Sequence, residues 1–393
     1  MAQVESTALM RMSFTCAAGT GIAEKVKTST QHRGGNALEY FIFLNSKLQF
    51  QASCTNAVYG LRRVYNFSRR AKMADYTMST SCDSVLAGKK IWITGHRGML
   101  GSAMVRRFAN SKAKLLLTSH SELDLINQSD VLNWMKTNKP DMVFHIGAKV
   151  GGVHANSIMP ADFLYNNIMI QTNVIYGAYL VGCEKLLFVA TNCCYPSRAM
   201  QPINEDSLFA GKLDETIRYY AIGKISGIEM CRAINKQHGT KFVSVIPPNL
   251  YGPGDNYHPL HSHIVAGILR RVHEAKVNRN SNFVVWGDGT PRRELLHIDD
   301  AAEAMKVIMC ENTHHDLYNI GVGYDLSVAE IATIIRDVVG YKGEIVYDLS
   351  KPNGTMSKLL DSTRINSLGW RAHVGEHEGI TSAYKDYLSR FGA

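Results

Sequence analysis

Apolar positions along the chain change their period near Lys89. From there, short unbroken apolar runs alternate with stretches in which apolar residues recur at helical spacing. The runs are KKIWIT, AKLLLTS, DMVFHIGA, KLLFVAT and KFVSVI; among the periodic stretches are SAMVRRFAN, PADFLYNNIMIQTNVIYGAYLVGC and YYAIGKISGIEMCRAINKQHG. Short continuous runs suit strands buried on both faces, and the periodic stretches suit the helices that cross between them. The pattern predicts an α/β fold with a doubly wound parallel sheet of the Rossmann type. Beyond the Pro/Gly-rich turn of PPNLYGPGD the elements become shorter and more polar, as expected of a smaller C-terminal substrate-binding lobe over the carboxyl edge of the sheet. The expected organisation is a disordered extension over 1–88, a dinucleotide-binding domain over 89–250, and a lobe over 251–393 from which YNIGVG returns to the sheet.

Composition narrows the function classes. With 393 residues, 45% apolar and 20% charged, the balance is that of a globular protein. The net charge of +9 divides unevenly, because residues 1–88 hold ten Lys and Arg against five Asp and Glu. The remainder has no compact basic run and no nucleic-acid motif, which fits phosphorylated small molecules and not nucleic acid. No apolar run approaches the roughly 18 residues that span a bilayer, so no membrane partner is expected. Eight scattered cysteines without a C-x-x-C pair indicate neither a metal site nor a dense disulfide framework, and a reducing, cytoplasmic compartment is the simpler expectation.

The first chemistry-bearing motif follows KKIWIT. In GHRGMLG, running through Gly95, His96, Arg97, Gly98, Met99, Leu100 and Gly101, three glycines fall at a strand-to-helix turn. Lack of a Cβ lets that backbone approach a pyrophosphate, and the helix N-terminus favours its charge. The acid that commonly holds an NAD ribose is replaced at the end of the second strand by Thr118, Ser119 and His120. Arg97 favours NADPH, while the nearby Glu122 keeps NADH open.

Tyr220 and Lys224 stand one helical turn apart in YYAIGKISG, on one face, where an ammonium can favour a phenolate and assist proton transfer to a substrate oxygen. Tyr347 and Lys351 share the spacing, but Pro352 argues against a helix there. KLLFVA delivers Thr191, Asn192, Cys193 and Cys194 to a strand end. Alone, a threonine there reads as a β-former and a cysteine as a small buried hydrophobe.

The segment from Lys89 onward resembles the GDP-L-fucose synthase family, the epimerase-reductases of the extended short-chain dehydrogenase/reductases. The resemblance rests on GHRGMLGSA, AKVGGVHANSIMPADF, CCYP, YYAIGKISG, PPNLYGPGDNYHP, SHIVAGILRR and GTPRRELLHIDD. It implies 3,5-epimerisation of GDP-4-keto-6-deoxy-D-mannose, followed by reduction of its 4-keto group with NADPH, in a homodimer. It assigns Cys193 and His263 to proton exchange at C3 and C5, and Thr191, Tyr220 and Lys224 to the reduction. Asn249 and Leu250 match the nicotinamide side, and Arg271, Trp286, Arg293 and Asp361 match contacts to the GDP-sugar; Cys194 is read as packing. Gly147 stands where alanine is common, Thr191 where serine is common, and Ser119-His120 where basic residues often meet the 2′-phosphate. Asn192-Cys193 differs from the Asp-Glu of the 4,6-dehydratases. Intact Thr191, Cys193, Tyr220, Lys224 and His263 argue against a non-catalytic dinucleotide-sensing scaffold.

Overall fold

A computed structural model describes residues 80–392, apart from 260, 312, 313, 352 and 354. Its strands are β1 (Lys90–Thr94), β2 (Lys114–Leu117), β3 (Met142–His145), β4 (Lys185–Val189), β5 (Phe242–Ile246), β6 (Asn249–Tyr251), β7 (Asn282–Trp286), β8 (Arg292–Arg293), β9 (Leu295–His297), β10 (Leu317–Asn319), β11 (Leu326–Ser327) and β12 (Glu344–Asp348). Six of them form one sheet in the order β2-β1-β3-β4-β5-β10, with every neighbour parallel. The predicted doubly wound sheet is present, YNIGVG returns to it as β10, and strand order reverses between β1 and β3.

Alternation within the apolar runs makes two cores. Ile91, Ile93, Phe144, Leu187 and Val245 point to one face, under the helices Met99–Phe108 and Ile298–Cys310. Trp92, Val143, Leu186, Phe188 and Ile246 point to the other, under Gln128–Asn138, Pro160–Leu180 and Arg218–His238. Period two sends successive side chains to opposite faces, so strands covered on both sides must be apolar throughout. Gly227 permits one close approach: a Cβ there would lie 2.5 Å from Phe188 Cζ, so only glycine lets the helix carrying Tyr220 settle against β4. That helix ends at Gly239, which takes the left-handed conformation (φ 70°) that terminates helices.

A third core joins β7 and β12 to the helices Ile264–Val277, Val328–Val339 and Glu376–Phe391 through Ile268, Leu269, Phe283, Ile331, Ile335 and Ile380. β6 pairs with β9, and β8 with β11. Between β8 and β9 lies Glu294, fully buried. One carboxylate oxygen accepts from the N–H of Val322 (2.8 Å) and Gly323 (3.0 Å), and the other from Leu360 (2.9 Å). Gly321 leaves room for it, since a Cβ there would strike Glu294 Oε1. Burial pushes this carboxyl up to about 7 against the opposing pull of its three donors.

Two findings differ from the sequence expectation. Thr80–Leu86 lies inside the 1–88 segment expected to be disordered, yet it is helical and Leu86 is fully buried in the first core. Cys82 in this helix forms a disulfide with Cys310, 228 residues away, whereas Cys183, Cys193, Cys194 and Cys231 are free. A pairing across that separation leaves no local spacing signal. Cys16, Cys54 and the rest of the expected extension fall outside the described residues.

Glu294→Ala takes the acceptor from three N–H groups, the buried one of Leu360 among them. Chemical denaturation should show a loss of about 3 kcal/mol; a change below about 0.5 kcal/mol would mean that the three segments hold together without the carboxylate.

Candidate active site

The reversal of strand order opens a crevice of about 760 Å³ at the carboxyl ends of β1 and β3. Thr94, the last residue of β1, is buried; its Oγ1 accepts from the N–H of Ile146 (3.0 Å) and Gly147 (2.9 Å) and pairs with His145 Nδ1 (2.9 Å). Burial, with Lys224 nearby, pushes His145 down to about 3, so this imidazole is neutral near pH 7. Gly95 follows with φ 68°, and a Cβ on it would lie 2.9 Å from Gly147 Cα. Gly98 N donates to Gly95 O (3.0 Å), and Met99 opens the helix. At Gly101 a Cβ would overlap Gly95 O and lie 2.7 Å from His96 Cα.

The crevice is therefore a bare-backbone cradle at a helix N-terminus, lined also by His96, Arg97, His120 and Lys149. His96 Nδ1 is buried without a hydrogen-bond partner, an orphaned polar atom in the cradle. These features fit a dinucleotide whose phosphates meet N–H groups and cations. Leu100 and the half-buried Leu250 pack into the first core. Lys149, Asp124 and Asn166 also line the crevice; sequence reading missed them because they sit beyond the glycine motif, on other elements.

At the end of β4, Thr191 caps a short turn, Asn192–Cys194, its Oγ1 accepting from Cys193 N (3.3 Å). Cys193 is half-buried beside a cavity of about 120 Å³, which Asn249, Arg293 and Lys358 also line. Lys358 Nζ donates to the carbonyls of Asn192 (3.2 Å) and Tyr195 (3.3 Å), fastening the turn to the second half of the chain. Arg293 Nη1 donates to the carbonyls of Arg292 and Thr355, both 2.7 Å. Lys358 carried no readable signal, being one cation in a polar loop. Cys194 is fully buried, its thiol pushed up to about 12 by burial, in keeping with a packing residue.

Tyr220 and Lys224 lie one turn apart on the helix Arg218–His238. Tyr220 meets Phe163 edge-on at 6.0 Å between ring centres. Burial raises its hydroxyl well above the usual phenol range, and the neighbouring Cys193 and Cys194 add to this. Lys224 Nζ donates to Val189 O (2.9 Å) and lies 4.9 Å over the Phe188 ring. Burial pushes this ammonium down to about 8.

His263 caps the helix Ile264–Val277 without a side-chain cap bond. Its ring reaches solvent, yet crowding by surrounding protein holds its imidazolium below the usual histidine range. Arg271 donates to the carbonyls of Gly267 (3.1 Å) and Val284 (3.2 Å) and lies 5.5 Å over the exposed ring of Trp286. Asp361 accepts from Thr363 N (2.8 Å). The structure thus gathers Cys193, Asn249 and Arg293 around one cavity and sets Arg271 with Trp286 as a second group; His263, Asp361, Thr191 and Tyr220 do not line that cavity.

Residues 91–321 match the NAD dependent epimerase/dehydratase family. GDP-L-fucose synthase 1 of Arabidopsis thaliana is 45% identical over 300 residues, covering 76% of this chain and 93% of the relative. The chain belongs to the GDP-L-fucose synthase family. The Escherichia coli GDP-L-fucose synthase is 43% identical over 313 residues, covering 77% of this chain and 98% of its own. A solved GDP-L-fucose synthetase from Naegleria fowleri bound to NADP superposes with a TM-score of 0.72 at 25% identity, covering 77% and 93% of the two chains. Family membership agrees with a crevice built for a phosphorylated dinucleotide. No helix among the described residues is long and apolar enough to cross a membrane.

Gly101→Ala forces a Cβ into the Gly95 carbonyl, so the loop must open. Fluorescence titration should show NADPH affinity reduced by at least about tenfold, with a lower thermal midpoint; unchanged affinity would show that the cradle tolerates a side chain.

Proposed function

We propose that this chain makes GDP-L-fucose from GDP-4-keto-6-deoxy-D-mannose, epimerising C3 and C5 and then reducing the 4-keto group with NADPH. The observation that carries this reading is Cys193, held half-buried by the Thr191 turn beside a cation-lined cavity, on the same sheet edge as the dinucleotide crevice. A simple reductase needs no thiol at that strand end.

In this reading Cys193 and His263 exchange the protons at C3 and C5, each flanking the ketone. Each exchange takes a proton from one face and returns one to the other, which asks for two groups. With its imidazolium held low by crowding, His263 is neutral near pH 7 and able to accept a proton. The Thr191 and Tyr220 hydroxyls hold the 4-keto oxygen. NADPH, when bound, supplies the hydride that reduces C4. Burial keeps the proton on Tyr220 until the keto oxygen needs it, and the Lys224 ammonium offsets the phenolate that forms. Asn249 and Leu250 line the nicotinamide side. Arg293 and Arg271 answer the diphosphate, Trp286 offers an aromatic surface to the guanosine end, and Asp361 completes the GDP-sugar contacts. Residues 251–393 act mainly as the substrate lobe.

A homodimer belongs to the same reading. Tyr165, Tyr176 and Leu180 on one long helix, and Tyr219 and Ile222 on its neighbour, are exposed large apolar side chains suited to a second copy. Cytoplasmic localisation also belongs to it.

Tyr220→Phe should abolish NADPH oxidation while solvent deuterium still enters C3 and C5, read by NMR of the sugar. Cys193→Ser should suppress deuterium entry while NADPH still binds. Equal loss of both activities in either variant would break this division of roles.

Lys224, pushed to about 8, is charged below that pH and loses its proton above it. The rate constant kcat/KM should therefore fall as pH rises through about 8, and Lys224→Arg, charged throughout, should move this limb upward. A limb unmoved in Lys224→Arg would assign it to another group.

A further inference from the structure

The turn after β2 holds an acid that, left free, would favour the wrong cofactor. Trp92 Nε1 donates to Thr118 Oγ1 (3.2 Å), fixing where the turn begins. Glu122 N and Leu123 N both donate to Ser119 O, at 3.1 and 3.0 Å. The Glu122 carboxylate reaches back, and its Oε2 accepts from both Ser119 N (2.7 Å) and Ser119 Oγ (2.6 Å). Ser119 is only 5% exposed, and its Oγ also pairs with Ser121 Oγ at 3.0 Å. The carboxylate is thus engaged by one residue through main chain and side chain together.

The position matters because the tip of the second strand in this fold meets the adenosine ribose, where a free carboxylate takes the 2′- and 3′-hydroxyls and repels a 2′-phosphate. Here the crevice is lined at this end by Ser119, His120 and Ser121, facing His96 and Arg97, whereas Glu122 is not among its lining residues. We propose that Ser119 sets the preference for NADP(H) over NAD(H) by holding the Glu122 carboxylate off the adenosine ribose. Ser119 is a positioning residue. It keeps an anion from the place where a phosphate must sit, leaving Arg97 and the imidazole N–H groups of His96 and His120 to meet that phosphate. The inference rests on the NADP(H) reading and deepens it, by naming the residue that excludes the other cofactor.

The test uses the full chain and the adenosine halves of the two cofactors, 2′,5′-ADP and 5′-AMP, with dissociation constants from calorimetry. Turnover plays no part. The unsubstituted chain should prefer 2′,5′-ADP. Ser119→Ala removes one charge-assisted hydrogen bond from the carboxylate and should lower that preference by about tenfold, while Ser119→Thr, which keeps the hydroxyl, should preserve it. Adding Glu122→Gln to Ser119→Ala should restore the preference, because the freed side chain then carries no charge. Thermal unfolding of each variant checks that the turn's loss has not unfolded the domain. A preference unchanged in Ser119→Ala overturns the inference. So does a fall that Glu122→Gln fails to restore, since Ser119 would then act by touching the phosphate itself. No preference in the unsubstituted chain would remove the NADP(H) reading along with it.

Discussion

The contact on which the rest depends is the Thr94 hydroxyl at the end of β1. By accepting the N–H groups of Ile146 and Gly147 and pairing with His145, it ties together two strand ends whose following chains leave in different directions. These are the ends between which the strand order reverses. With them fixed, Gly95 sits against Gly147 with no room for a Cβ of its own, and the glycine loop has one place to go. The crevice is a consequence of that knot and of the bare backbone around it. His145 can serve there because burial keeps its ring neutral; a charged imidazole beside Lys224 would oppose the ammonium that the same helix delivers.

Lys224 ties the helix Arg218–His238 to the end of β4. Its ammonium is held by Val189 O at the end of β4, one residue before the chain turns towards Ala190, Thr191 and Cys193. A single buried cation therefore registers the Tyr220 helix against the strand that carries the hydroxyl and the thiol. Gly227 makes the same approach possible further along the helix. The environment that holds the proton on Tyr220 also strips solvent from Lys224, so both groups sit away from their ordinary values for one reason, exclusion of water.

Much of this was legible in the sequence. The sheet strands and long helices announced themselves because both faces of the sheet are covered, which makes the apolar runs continuous. GHRGMLG and the Tyr220-Lys224 pair were visible because their spacing is local. Glu294 was not, since a lone glutamate in RRELLHIDD reads as a solvated charge, and its three partners lie 28 to 66 residues away. Lys358, the Cys82–Cys310 bridge and the engagement of Glu122 by Ser119 escaped for related reasons. Residue type can suggest a charge or a thiol, but which group answers it is decided by the fold.

The buried carboxylate of Glu294 has an implication for how this architecture can be rearranged. The groups that meet there come from three stretches of chain: the loop between β8 and β9, the turn after β10, and the segment at Leu360 that also bridges to Ile203. The loop before β9, the turn after the returning strand β10 and the Leu360 segment are consequently held as one unit. A change of length or course in any one of these three stretches would have to be matched in the other two, so variation is more easily accommodated at exposed positions than at this junction.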